Sequence, residues 1–209
     1  MAEFNWVLDQ GKFLTSEEVS RLLCRAKQRA EQAQVSGCKV AVRDYMVVLL
    51  ALETGLRVME IAGLNCGDVH LDGAASAVMV RRGKGGKRRI VRIGETTRDH
   101  LRWYLVWKEQ IGEPTGQDYP LLMSSNTGQH MTTRAIQKAF KRTAARASLP
   151  SRYSIHCLRH TYACELYRAS GYNLRLVQKQ LGHASIRTTE VYADVMNPEL
   201  ERSLERLYA

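Results

Sequence analysis

The sequence predicts a mainly helical fold carrying one small antiparallel β-sheet, an α+β domain. Apolar residues recur at helical spacing through most of the chain, beginning with Val19, Leu22, Leu23, Ala26 and Ala30. Glycine stops and Ser, Thr or Asn starts cut that pattern into helices of ordinary length. Two β-prone runs, 77–82 and 88–93, flank the glycine-rich break Gly83-Lys84-Gly85-Gly86-Lys87 and read as a hairpin. At 209 residues the chain holds one full-sized domain, and no repeat, low-complexity tract or linker divides it.

Taken in order, residues 1–14 lack periodicity and read as a lead-in, leaving 15–209 as the domain. Thr15 and Glu18 stand at capping-box spacing, so the first helix starts there and breaks at Val35-Ser36-Gly37. A second helix from about Val40 is apolar nearly all round through Leu52, which marks a buried central strut. It ends at Thr54-Gly55, with Gly55 suited to a left-handed cap. Leu56-Arg57-Val58-Met59-Glu60-Ile61 then restarts as a short helix, so Arg57 projects from a rigid junction. Glu60, three residues on, is placed to pair with it. After the hairpin, Thr96 or Thr97 caps a helix running to about Ile111, with Leu101, Tyr104, Leu105 and Trp107 inward. A loop at 112–120 and a short strand at 121–123 follow. Thr132-Thr133 opens a helix with Ile136, Ala139, Phe140 and Ala144 on its apolar side. Residues 154–171 form the next, with Leu158, Tyr162, Leu166 and Tyr167 buried, and 173–181 a further helix closed by Gly182. Asn197-Pro198 opens a last helix striped by Leu200, Leu204 and Leu207.

The formal charge of +10 is unevenly placed. Residues 1–66 carry 8 basic and 8 acidic side chains and residues 67–209 carry 23 and 13, so the whole excess lies in the second part. This suggests a polyanion-facing surface, although charge alone fits a merely soluble basic protein equally well. Arg81, Arg82, Lys84, Lys87, Arg88 and Arg89 crowd the hairpin tip. Such a run reads as a solvated turn, but glycines beside Lys84 also let backbone approach a nucleic-acid strand. The spacing is not that of a nucleotide-binding loop. In the helix after Thr132, Arg134, Lys138, Lys141, Arg142 and Arg146 meet no acid between 133 and 147, which suggests phosphate contacts. Five cysteines, odd in number and without C-x-x-C spacing, form neither a disulfide framework nor a zinc site. The N-terminus lacks a secretory signal, and the longest apolar run, 45–52, is too short to span a bilayer. A reducing cytoplasm is the expected compartment.

The chemistry concentrates at 154–195. His156 and Arg159 share a helix face, and His183 and Tyr192 follow. A phenol attacking phosphorus must lose its proton, because at pH 7 only about one free tyrosine in a thousand is ionised. Two arginines and further hydrogen-bond donors would shield the phosphate without a metal, and a lysine on a hairpin would protonate the leaving 5′ oxygen. His160, four residues after His156, has zinc-helix spacing but no H-E-x-x-H glutamate, so no metal site is expected. Tyr45, Tyr104, Tyr153, Tyr162 and Tyr167 fit core positions, whereas Tyr192 follows polar threonines with no apolar stripe.

These motifs resemble, in order, those of the tyrosine recombinase (phage integrase) family: Thr54-Gly55-Leu56-Arg57 through Glu60, Gly83-Lys84-Gly85, His156-Cys157-Leu158-Arg159-His160-Thr161, Leu181-Gly182-His183 and Thr188-Thr189-Glu190-Val191-Tyr192. The resemblance covers about 15–200 and implies the catalytic domain shared with type IB topoisomerases. It implies that Tyr192 forms a 3′-phosphotyrosyl link, that Arg57 and Arg159 clamp the scissile phosphate, and that Lys84 is the general acid. His156 would assist proton transfer from Tyr192, His183 would hydrogen-bond a non-bridging oxygen, and Glu60 would orient Arg57. Arg81, Arg82, Lys87, Arg88, Arg134, Lys138, Lys141 and Arg142 would contact DNA. The implied partner is double-stranded DNA with a specific recombination site, bound by a homotetramer that exchanges strands in pairs, with no metal, ATP, membrane or small-molecule substrate. The implied setting is a bacterial nucleoid, with a bacterial, phage or mobile-element gene. The last helix, 198–208, would pack on a neighbouring subunit or back on its own domain.

Met59 stands where the family often has a small polar residue, and Cys164 where threonine is common; neither removes a reacting group. A separate helical DNA-binding domain precedes the catalytic one in most relatives and is absent from this sequence. That fits either an excised domain or a short single-domain enzyme. Two other functions share the fold: a non-catalytic DNA-binding regulator, marked by a broken reacting set, and a type IB topoisomerase-like nicking-closing enzyme acting without a specific site.

Overall fold

Thr15 accepts a hydrogen bond from the Glu18 N–H while Glu18 Oε2 accepts one from the Thr15 N–H, and this reciprocal cap starts α1 (Ser16–Ser36). Gly37 closes it at φ 72°. Next, α2 (Lys39–Thr54) is buried continuously from Ala41 to Leu52 and is the central strut. It packs against α1, against α4 (Glu95–Gln110), against α5 (Thr133–Arg146) and against α6 (Ile155–Ala169). The structure, a computed structural model, describes residues 10–72, 76–81 and 88–195. The hairpin tip with Arg82, Lys84 and Lys87, and the helix expected at 198–208, lie outside the described residues.

The short α3 (Val58–Ala62) follows the strut. The sheet has the order β1-β2-β3, all antiparallel: β1 (Val69–His70), β2 (Ala77–Val80) and β3 (Arg89–Arg92). Val78 pairs with Val69 on one side and Val91 on the other. The hairpin arms are therefore as expected, and β1 is an addition. Leu121 to Met123 form no strand; Pro120 and Met123 make only isolated bridges to Asn65 and His130. Gly94, not Thr96 or Thr97, is the N-cap of α4, because Thr97 turns inward, buried, towards Glu53.

After α6 come α7 (Leu174–Leu181) and α8 (Arg187–Val195). Ala163, Cys164 and Tyr167 of α6, Val177 and Leu181 of α7 and Tyr192 of α8 form a second, smaller core beside the main one. The lead-in is not idle where it is described. Gln10–Lys12 make a 3-10 turn, Leu14 is buried, and its N–H donates to Thr161 Oγ1 of α6 at 2.9 Å. Tyr192, a candidate site residue, is part of the second core.

Candidate active site

Arg57 is the N-cap of α3, placed there because Gly55 ends α2 in the left-handed region at φ 60°. A Cβ on Gly55 would lie 2.4 Å from the Tyr162 ring, so this turn needs glycine for packing as well as for φ. Glu60, buried, receives the Arg57 backbone N–H at 2.8 Å and Arg57 Nη1 at 3.1 Å. Burial alone would raise its pKa; hydrogen bonds and charge from Arg89 and Arg57 outweigh that and hold it below the usual carboxylate value. Arg89 contributes both Nη groups to the same carboxylate, at 2.6 and 2.9 Å. The expected contact between Glu60 and Arg57 is present, with a second guanidinium sharing it.

Arg159, on the first turns of α6, is buried and donates Nη1 to Gly55 O and Nη2 to Leu181 O at 3.0 Å. It also donates Nη2 to His183 Nε2 at 2.9 Å. A guanidinium has no acceptor, so His183 Nε2 must be the lone-pair nitrogen and its Nδ1–H donates to buried Thr189 Oγ1 at 3.0 Å. Burial, then the charges of Arg159 and Arg57, push the His183 pKa down to about 4, which fits that neutral tautomer. Arg159 is itself lowered to about 10, first by burial and then by Arg57. In this arrangement His183 has no proton on Nε2 to offer an oxygen. The role expected for it therefore requires Arg159 to release Nε2 and the ring proton to move from Nδ1 to Nε2, with the Thr189 hydroxyl then donating to Nδ1.

Tyr192 departs from expectation. It is 2% exposed, inside the second core, and its hydroxyl is 3.1 Å from His160 Nδ1. Burial raises its pKa to about 12, while Arg159 and Arg57 pull the other way. The segment does have a buried side: residues 187–195 are helical, so buried Thr189 and Tyr192 fall on one face. The sequence reading left this segment without a helix and lost the spacing. His156 is exposed on the first turn of α6, and it is His160 that meets the phenol. Burial, then Arg159 and His156, lower the His160 pKa to about 4, so this imidazole too is neutral. His160 was legible as a member of the stripe His160, Ala163, Cys164 and Tyr167, spaced i, i+3, i+4, i+7 towards the second core. No group of three or more potential metal ligands occurs among the described residues.

The basic residues separate by partner. Arg81 bonds buried Asp68 and lies 3.8 Å from Asp118. Lys141 closes the loop before α6 by donating to Ser151 O and Tyr153 O, both at 2.6 Å. Arg142 forks onto buried Asp44 at 3.0 and 2.6 Å. These cations serve internal partners, whereas Arg88, Arg134 and Lys138 lie on the exposed surface, as does Arg146, which donates Nη1 to Arg142 O at 3.3 Å.

The fold and the ordered Arg-His-Arg-His-Tyr set define a class, and comparison with known proteins fixes it. The profile of the Phage integrase family matches residues 12–198, and the chain belongs to that family. Tyrosine recombinase XerD of Brucella suis biovar 1 (strain 1330) is 34% identical over 194 residues, covering 91% of this chain and 61% of the relative. Tyrosine recombinase XerC of Serratia marcescens is 37% identical over 153 residues, covering 73% of this chain and 48% of the relative. The chain thus spans about three fifths, or less, of the curated relatives it matches. Among solved structures, XerA recombinase aligns with TM-score 0.72 at 30% identity over 94% of this chain and 64% of that one. XerH bound to palindromic difH substrate in a post-cleavage complex aligns with TM-score 0.74 at 26% identity, over 94% and 53%. No helix among the described residues is long and apolar enough to cross a membrane.

Proposed function

We propose that this chain is the catalytic part of a site-specific DNA recombinase or integrase, which breaks and rejoins strands through a 3′-phosphotyrosyl intermediate without metal or ATP. The observation that carries the reading is the Arg159–His183 contact at 2.9 Å, set in the charge field of Arg57 and next to the Tyr192 segment. XerH, a structural relative, is a site-specific recombinase captured with its difH substrate after cleavage. The partner proposed here is likewise double-stranded DNA with a recombination site, engaged as a homotetramer in the cytoplasm, at the nucleoid.

In this reading a phosphate enters between Arg57 and Arg159. Of the five guanidinium N–H groups of Arg159, the Nε hydrogen and one on Nη1 are not taken by the bonds to Gly55, Leu181 and His183. Those hydrogens remain for phosphate oxygens, and His183, once released by Arg159 and carrying its proton on Nε2, adds a further donor. Tyr192 leaves its buried position as α8 shifts. Its Oη bonds to phosphorus, the phenolic proton leaves through His156, and the P–O5′ bond breaks with a proton from Lys84. The step conserves bond energy in the phosphotyrosine, so rejoining needs no fuel. Arg134, Lys138 and Arg88 contact the DNA backbone, and Arg82 and Lys87 are assigned the same role from their charge alone. Arg81, Lys141 and Arg142 reach it only with hydrogens left over from their internal partners.

A nicked suicide duplex, selected from a random pool for binding to this chain, tests the proposal. The chain should become covalently attached to the DNA 3′ end, and Tyr192→Phe should give no adduct. Equal yields from the two proteins would remove Tyr192 as nucleophile. Relaxation of a supercoiled plasmid that lacks the selected site would instead mark topoisomerase-like activity.

A further inference from the structure

Arg89 belongs to the run of six cations whose pattern is that of a solvated turn, yet its side chain is only 14% exposed. Alternation along β3 explains this: Val91 is fully buried, so Arg89, two residues earlier, faces the same way, while Ile90 and Arg92 face out. Its guanidinium lies fork on fork against Glu60, and the bonds to that carboxylate are fully shared. Oε1 accepts from Arg89 Nη1 and Arg57 Nη1; Oε2 accepts from Arg89 Nη2 and the Arg57 backbone N–H. A carboxylate offers about four lone-pair sites, so Glu60 is saturated.

We infer that Arg89 is a positioning residue for strand cleavage: by filling the fork of Glu60 it restricts Arg57 to a single side-chain contact and leaves the rest of that guanidinium directed at the scissile phosphate. The inference rests on the proposed function and deepens it. With Arg89 gone, a buried anionic Glu60 would have two vacant sites, and the side chain of Arg57, 28% exposed and able to turn, would fill them. Arg57 would then be drawn inward, off the phosphate.

Two more contacts set Arg89 where the reacting segments meet. Gly182, at φ 67° and immediately before His183, lies on the Arg89 stem; a Cβ there would come within 2.5 Å of Cδ and 2.6 Å of Nε. One residue pair along, Gln180 Nε2 donates to Arg92 O at 2.6 Å, pinning α7 to β3. Arg89 also follows the 82–87 segment that carries Lys84 by two residues.

The test compares one selected nicked duplex in two forms, with the ordinary scissile phosphate and with a methylphosphonate at that position. The methyl group removes the negative charge that Arg57 serves, so correct aim of Arg57 no longer matters. Arg89→Met should slow adduct formation on the phosphate by about ten- to a hundredfold. On the methylphosphonate it should match the unaltered chain within about twofold. Arg89→Lys, which keeps charge but not the fork, should show the same pattern in weaker form. Equal losses on both substrates would show a general packing role and overturn the inference, as would no loss on either. Absence of adduct from the unaltered chain on both forms would remove the proposed function, and the inference with it.

Discussion

His160 and His183 are held neutral by burial beside the Arg159 guanidinium, each with a pKa lowered to about 4. Their ordinary value lies near 6.5, so the unfolded chain takes up protons below that pH and the folded chain resists until about pH 4. The stability they permit is fully present above pH 6.5 and is lost as pH falls through this window. The thermal midpoint should therefore drop between pH 7 and pH 5, and His160→Asn, whose carbonyl can take the place of Nδ1, should flatten part of the drop. A midpoint independent of pH in this range would contradict the buried neutral pair. The identities of these histidines were plain in the sequence, but their partners were not. His183 meets Arg159 across 24 residues and His160 meets Tyr192 across 32, and neither separation follows from helix periodicity.

Elements were more legible than contacts because their start and stop signals are local. Thr15 with Glu18 and the glycines after α1, α2 and α7 act over a few residues, and the structure has each where the sequence put it; Asn173, expected as the first helical residue, is the N-cap of α7 instead. Thr15→Ala should lower stability by about 1 kcal/mol, measured by urea unfolding, because the Glu18 N–H loses its acceptor, Thr15 Oγ1. The misses have a common cause. Thr96 and Thr97 look like caps, yet burial of Thr97 against Glu53 sets the frame of α4 and leaves Gly94 as cap. The helix at Arg187–Val195 is short, polar at its start and stabilised by packing on α6 and α7 rather than by its own sequence.

At the scale of the whole molecule, the strut carries charge as well as apolar surface. Arg43 of α2 meets Glu113, which also receives Lys108 Nζ at 3.1 Å and has Lys39 at 3.6 Å. Lys108 is wholly buried and Glu113 only 8% exposed, so this cluster locks α4 and the following loop to α2 inside the core. Glu113→Gln would strand two buried cations. It should cost about 3–5 kcal/mol, read from the denaturant midpoint, whereas an exposed pair such as Arg168–Glu165 should cost about 1 kcal/mol or less when broken. Nothing in the local pattern around Lys108 announced this, since a lysine beside tryptophan on a surface helix ordinarily reaches into water.

The amino-acid order alone determined the helical class, the hairpin arms, the α1 cap and the glycine stops, and it holds the ordered set Arg57, Lys84, His156, Arg159, His183 and Tyr192. Spacing along one chain and the chemistry of side chains are both written in sequence. Only the tertiary structure decided that Arg89 shares Glu60 with Arg57, that Arg159 occupies His183 Nε2, and that Tyr192 rests buried on His160. Each of those facts depends on which distant segments pack together, and hence on which donors and acceptors are taken out of water side by side. Burial and partner choice are properties of the assembled fold.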